Sequence, residues 1–181
     1  MPPLTLPPPR AVLLDLDGTL IDSEPAHRAT WQAFFAARGW EVDDTTYAEH
    51  FVGRRGADVF RTLPGPWAEE DPEALVEEVL SYLPQFVAEA AAVRGAVRML
   101  GDLYELGVPV GLVTSATRAW AEHALGEVLG ASDLVRVIVA AEDVEEGKPD
   151  PTGYLAAAAA LGADPAETVA LVAAASVDTG G

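Results

Sequence analysis

The chain changes its hydrophobic rhythm twice. Near the front, Ala11-Val12-Leu13-Leu14 is an uninterrupted apolar run leading into Asp15. It predicts a strand over residues 11–15, buried on both faces if the sheet is parallel. From Pro25 to Arg38 the period lengthens. Ala26, Ala29, Thr30, Ala33, Phe34 and Ala37 recur at helical spacing, and Gly39 follows as a stop. Residues 43–63 predict two short helices around Gly53-Arg54-Arg55-Gly56. Asp71-Pro72-Glu73 opens another helix, with a capping carboxylate, a proline in the first turn and acids near the positive dipole end. That helix runs through Leu75, Val76, Val79 and Leu80, breaks at Pro84 and resumes to about Val93. Residues 23–93 therefore read as all-helical.

After Gly95 the rhythm changes again. A helix over 96–106, closed by Gly107, precedes a strand at Val110-Gly111-Leu112-Val113-Thr114. Then come a helix at about 118–129, a strand at 137–140, a helix opened by Asp150-Pro151 and closed by Gly162, and a strand at 169–172. Strands alternating with helices imply a parallel sheet covered on both faces. The predicted architecture is an α/β, Rossmann-like core (residues 1–22 and 95–181). A small all-helical unit (23–94) is inserted after the first strand.

Half of the 181 residues are hydrophobic, enough for a sizeable core. The net charge of −18 argues against nucleic acid or an anionic membrane as partner, because both need a basic surface. An anionic ligand would instead need a cation or a few placed basic side chains. With no cysteine, disulfide and thiolate chemistry are excluded. The proline-rich opening lacks the basic and apolar regions of a signal peptide, and no apolar stretch suits a bilayer span, so a cytoplasmic protein is expected.

Ligands of open α/β sheets gather at the carboxyl ends of the strands. The first strand ends in Asp15-Leu16-Asp17-Gly18-Thr19, delivering two carboxylates that are costly to bury without partners. The second ends in Thr114-Ser115-Ala116 just before a helix, where a hydroxyl and free N–H groups suit a phosphate. After the third comes Gly147-Lys148-Pro149-Asp150-Pro151. Lys148 is the only lysine in a chain otherwise committed to arginine, which points to a site needing a compact ammonium.

These three motifs, in this order, resemble those of the haloacid dehalogenase-like hydrolase superfamily. The helical insert resembles the small cap of its phosphoglycolate phosphatase and beta-phosphoglucomutase-like branch. The resemblance covers nearly the whole chain. It implies a Mg²⁺-dependent phosphatase acting on a small phosphorylated metabolite through an aspartyl-phosphate. Asp15 would be the nucleophile and Asp17 the general acid and base, with Gly18 and Thr19 shaping the turn. Lys148 would neutralise charge, and Thr114, Ser115 and Ala116 would bind phosphate. Mg²⁺ would be held by Asp15, the Asp17 carbonyl and waters.

Cap positions carry two readings each. His27 and Trp31 lie one turn apart on a helix and resemble cleft-lining positions, although Trp31 also suits cap core. Arg54 and Arg55 either grip the substrate phosphate or form a solvated pair. The sugar-binding arginine of the mutase pattern would fall on Gly56, which favours a phosphatase over a phosphomutase.

The family's fourth motif is acidic and follows the next strand. Here that strand continues Val172-Ala173-Ala174-Ala175-Ser176-Val177-Asp178, with alanines where the metal-binding carboxylate is expected. Asp178 then serves as a substitute metal ligand or simply caps a final turn. The C-terminal part of the core is expected to be missing. A phosphate- or partner-binding pseudoenzyme is the rival expectation, and the oligomeric state is unknown.

Overall fold

The first strand, β1 (Ala11–Leu14), alternates between two apolar clusters, as the pleat requires. In the computed structural model, which describes residues 9–52 and 54–172, Val12 and Leu14 face one cluster and Leu13 the other. All four residues are buried. β1 pairs in parallel with β4 (Val110–Val113) and β6 (Thr168–Leu171), and β4 pairs with β5 (Val137–Val139). The strand order is β5-β4-β1-β6, and every pairing in it is parallel, as the predicted α/β core requires. β6 lies at the edge, with Val169 and Leu171 about half exposed.

Helices cover both faces. α5 (Ala96–Glu105) and α6 (Arg118–His123) lie over the Val12 side, contributing Leu100, Trp120 and Ala121. α7 (Thr152–Ala160) lies over the Leu13 side through Ala157 and Ala158. It packs closely because Gly111 in β4 has no side chain. A Cβ there would sit 2.9 Å from Leu13 Cδ2 and 3.2 Å from Leu161 Cδ1.

Between β1 and α5 lie α1 (Glu24–Arg38), α2 (Asp44–His50), α3 (Gly56–Thr62) and α4 (Pro72–Tyr82). α1 buries Ala26, Thr30 and Phe34 at four-residue spacing and ends at Gly39, whose φ of 65° is the left-handed C-cap glycine tolerates. Asp43 and Asp71 cap α2 and α4 by accepting from the N–H groups of Thr46 and Ala74. These helices share a cluster of their own, built mainly of rings.

Three expectations need correction. Residues 23–93 are not all helical, because β3 (Ala91–Ala92) pairs antiparallel with β2 (Ile21–Asp22) where the insert leaves and rejoins the core. Two-residue strands carry no readable alternation. After Pro84 the chain does not resume an α-helix but forms short 3₁₀ turns at Leu83–Gln85 and Val87–Glu89. The helix expected at 118–129 is α only to His123 and widens to π geometry over Ala124–Val128. No helix among the described residues is long and apolar enough to cross a membrane.

Candidate active site

The predicted residues of the first and third motifs meet at the carboxyl end of β1. Lys148 Nζ donates to Asp15 Oδ1 at 2.5 Å and to the Val113 carbonyl at 2.9 Å, joining residues 133 positions apart. Asp15 is only 15% exposed. Burial pushes its carboxyl up from the usual range, and Lys148, which pulls it down by hydrogen bond and charge, does not fully cancel that. An oxygen-bound cation would reduce the remaining penalty, so the Asp15 environment fits one. The described residues supply two candidate oxygen donors, the Asp15 carboxylate and the Asp17 carbonyl. They contain no group of three His, Asp or Glu residues arranged to hold a metal. Asp178 and the alanines at 173–175 lie outside the described residues.

Asp17 is turned toward different partners. The chain bends sharply after Leu16: Gly18 adopts a φ of 76°, and its N–H donates to the Ile21 carbonyl at 2.7 Å. Three donors converge on Asp17 Oδ1, namely Ser23 Oγ at 2.5 Å, His27 Nε2 at 3.1 Å and Trp120 Nε1 at 3.0 Å. Burial is the largest influence and pushes Asp17 upward, but the bonds from His27, Ser23 and Trp120 together hold it below the ordinary carboxylate range. His27 responds in the opposite sense. Burial lowers it, while Asp17 and the charge of Glu24 raise it more, so its pKa ends above the usual imidazole value. Sequence reasoning placed His27 near the cleft but missed Ser23 and Trp120. Ser23 lies six residues from Asp17 without a motif, and Trp120 lies 103 residues away.

At the end of β4, Thr114 is buried and its Oγ1 accepts from the Ala116 N–H at 3.0 Å. Thr117, rather than Ser115, caps α6 by accepting from the Trp120 N–H. Ser115 borders a narrow crevice that includes Lys148 and also a larger cleft reaching His27 and Arg54. The paired arginines separate. Arg55 is not a solvated charge: its Nη1 donates to the Glu145 carbonyl at 2.9 Å, and its side chain covers Gly147. Arg54 is exposed beside the cleft and has no ion pair among the described residues. Trp31 has both expected characters, since it packs among Phe35, Phe51 and Phe60 and also borders the cleft.

Residues 9–171 match the family model for haloacid dehalogenase-like hydrolases. The chain belongs to the haloacid dehalogenase-like hydrolase family. This hydrolase is 39% identical over 162 residues to validoxylamine A 7'-phosphate phosphatase of Streptomyces hygroscopicus subsp. limoneus, covering 88% of this chain and 75% of that protein. It is 33% identical over 165 residues to phosphoglycolate phosphatase of Xylella fastidiosa, covering 89% of this chain and 70% of that protein. The solved structure of CbbY from Rhodobacter sphaeroides in complex with phosphate superposes with a TM-score of 0.79 at 26% identity, over 90% of this chain and 76% of that one.

Proposed function

We propose that this hydrolase is a Mg²⁺-dependent phosphatase of a small phosphorylated metabolite, working through a phosphorylated aspartate. The supporting observation is the division of labour between two carboxylates two residues apart. Asp15 is desolvated against Lys148, while Asp17 is held by three donors from other elements. The relatives named above, which are phosphatases, support the same reading.

In the proposed reaction an Asp15 carboxylate oxygen attacks phosphorus, and the bond from phosphorus to the ester oxygen breaks. Asp17 gives its proton to that oxygen, releasing an alcohol. It then takes a proton from water as the water oxygen attacks the aspartyl-phosphate, freeing Asp15 and inorganic phosphate. Because Ser23, His27 and Trp120 favour ionised Asp17, its carboxyl must exchange these donors for the ester oxygen when it carries a proton. Lys148 offsets the charge of Asp15 and the incoming phosphate, and Ser115 with the backbone at Ala116 and Gly18–Thr19 would bind phosphate oxygens. Mg²⁺, held by Asp15 and the Asp17 carbonyl, would supply further charge neutralisation. Residues 23–94 would act as a cap over a core formed by 1–22 and 95–181.

The phosphatase reading is favoured over a phosphomutase by Gly56. It stands where the mutase pattern has its sugar-binding arginine and offers no side chain to a sugar. Asp15→Asn tests the proposal with minimal change of shape. Phosphate release from an aryl phosphate should fall by at least about a thousandfold. Unchanged release would exclude Asp15 as nucleophile.

A further inference from the structure

We propose that the cleft beside His27 receives the leaving group of the phosphate ester, and that this group is one uncharged ring with an apolar face. The inference rests on the phosphatase reading and adds a substrate class to it.

Size comes first. The cleft encloses about 110 Å³. An apolar cavity of about 150 Å³ accommodates benzene, so this space suits one ring rather than two. Its walls come second. Trp31, Val76, Val79, Leu80, Leu83 and Trp120 supply its large apolar walls, from α1, α4 and its continuation, and α6. Charge comes third. The chain carries 29 acidic residues, yet among the described residues no carboxylate lines the cleft, and Arg54 is the one guanidinium that does. The leaving group can therefore enter this cleft without meeting an acid from the described residues, while the phosphate is met by Asp15 and its partner Lys148. A second anion on the leaving group would have Arg54 as its one guanidinium partner and would lose its hydration against Val76, Val79, Leu80 and Leu83, which is costly.

Two features connect this cleft with the reacting groups. Ser115 lines it and also borders the crevice containing Lys148. His27 and Trp120 line it while their ring nitrogens hold Asp17. Gly56 keeps its wall close: a Cβ there would lie 3.4 Å from Trp31 Cζ2 as well as against Val76. Hydroxyls on the ring can meet Ser115 and Thr117, whereas an apolar ring face has the aliphatic wall.

The test uses titration calorimetry on the full chain with Mg²⁺ present. Three phosphonates, whose carbon–phosphorus bond is not hydrolysed, serve as probes: cyclohexylmethylphosphonate, ethylphosphonate and phosphonoacetate. The ring compound should bind at least about tenfold more tightly than either of the others. Val76→Phe, which fills the cleft, should reduce that preference to below about threefold, with Leu80→Phe as a second variant if the first does not fold. Equal binding of the three probes, a preference for phosphonoacetate, or an undiminished ring preference in a folded filled-cleft variant would overturn the proposal. Since no bond is broken, failure of the Asp15 reading leaves this result intact. Conversely, cyclohexylmethyl phosphate hydrolysis without preferential ring binding would leave the phosphatase reading standing and remove this one.

Discussion

The apolar packing on the sheet and that within the helical insert are built from different materials. The sheet face under α7 is aliphatic and alanine-rich: Leu13, Val113 and Val139 meet Ala157 and Ala158, with Gly111 in β4 and Gly153 in α7 letting helix and sheet approach. The helical insert is filled with rings, including stacked Trp31–Phe35 and edge-on Phe34–Trp40 pairs. Backbone ladders fix the spacing of strands, so small and branched residues complete that core. Short helices have no ladder between them, and large rings fill the irregular gaps while adding specific contact geometry. The junction is different again. Asp17 gathers donors from Ser23, α1 and α6, and Arg55 reaches the carbonyls before Lys148. The two apolar cores thus leave polar tethers and a cleft where they meet.

The largest test of this contrast is Phe34→Ala. Phe34 is fully buried at the centre of the ring cluster, and its loss should cost about 3–5 kcal/mol in denaturant unfolding. Hydrogen exchange in the same variant should show loosening of α1–α4 while amides of β1 and β4 stay protected. Equal loss of protection in both regions would mean that they form one cooperative unit.

Trp120→Phe probes the junction with a smaller effect. The ring remains in the sheet-side cluster, but one of three donors to Asp17 is lost. A destabilisation of about 1.5 kcal/mol is expected, near the low end for a bond to a charged acceptor because two donors remain. Urea unfolding should show a lower midpoint and an unchanged slope. A change of slope would show that the substitution altered the compactness of a state rather than one bond.

The smallest effect belongs to a cap within the ring-built region. Asp43 accepts from the backbone and side chain of Thr46, which holds its pKa below the ordinary 3.8. The folded value being depressed, this contribution to stability is complete above the unfolded value and is lost as pH falls through the folded one. An NMR titration of Asp43 should give a midpoint below 3.8, and Asp43→Ala should narrow its stability deficit as the solution is acidified below that value. A midpoint at or above 3.8 would remove the cap from the account.

The residues that meet at the carboxyl end of β1 to form the candidate site could be picked out from the sequence. Asp15, Asp17 and Lys148 announce themselves because a strand end, a glycine turn and a lone lysine are local features. The partners of Asp17 were not legible. Nothing around Trp120 marks its N–H as a ligand for a carboxylate 103 residues earlier, and the indole alone reads as core. Arg54 and Arg55 are adjacent and chemically identical, yet one borders a cleft and the other binds the 144–145 carbonyls. Their separation depends on how α3 lies against the loop before Lys148, which no periodicity records. The β2–β3 pair and the π-shaped end of α6 escaped for a related reason: short pairings and widened turns are decided by packing rather than by period.

Local chemistry alone therefore dictates which strands and helices form, in what order, and that two carboxylates and an ammonium emerge at strand ends. Those outcomes follow from backbone periodicity and from the cost of burying apolar and charged groups, both of which act over a few residues. Which donors hold Asp17, which arginine borders the cleft, and what size and polarity of group that cleft admits are settled only when distant segments pack. Those properties belong to distances between elements, and such distances exist only in the folded chain.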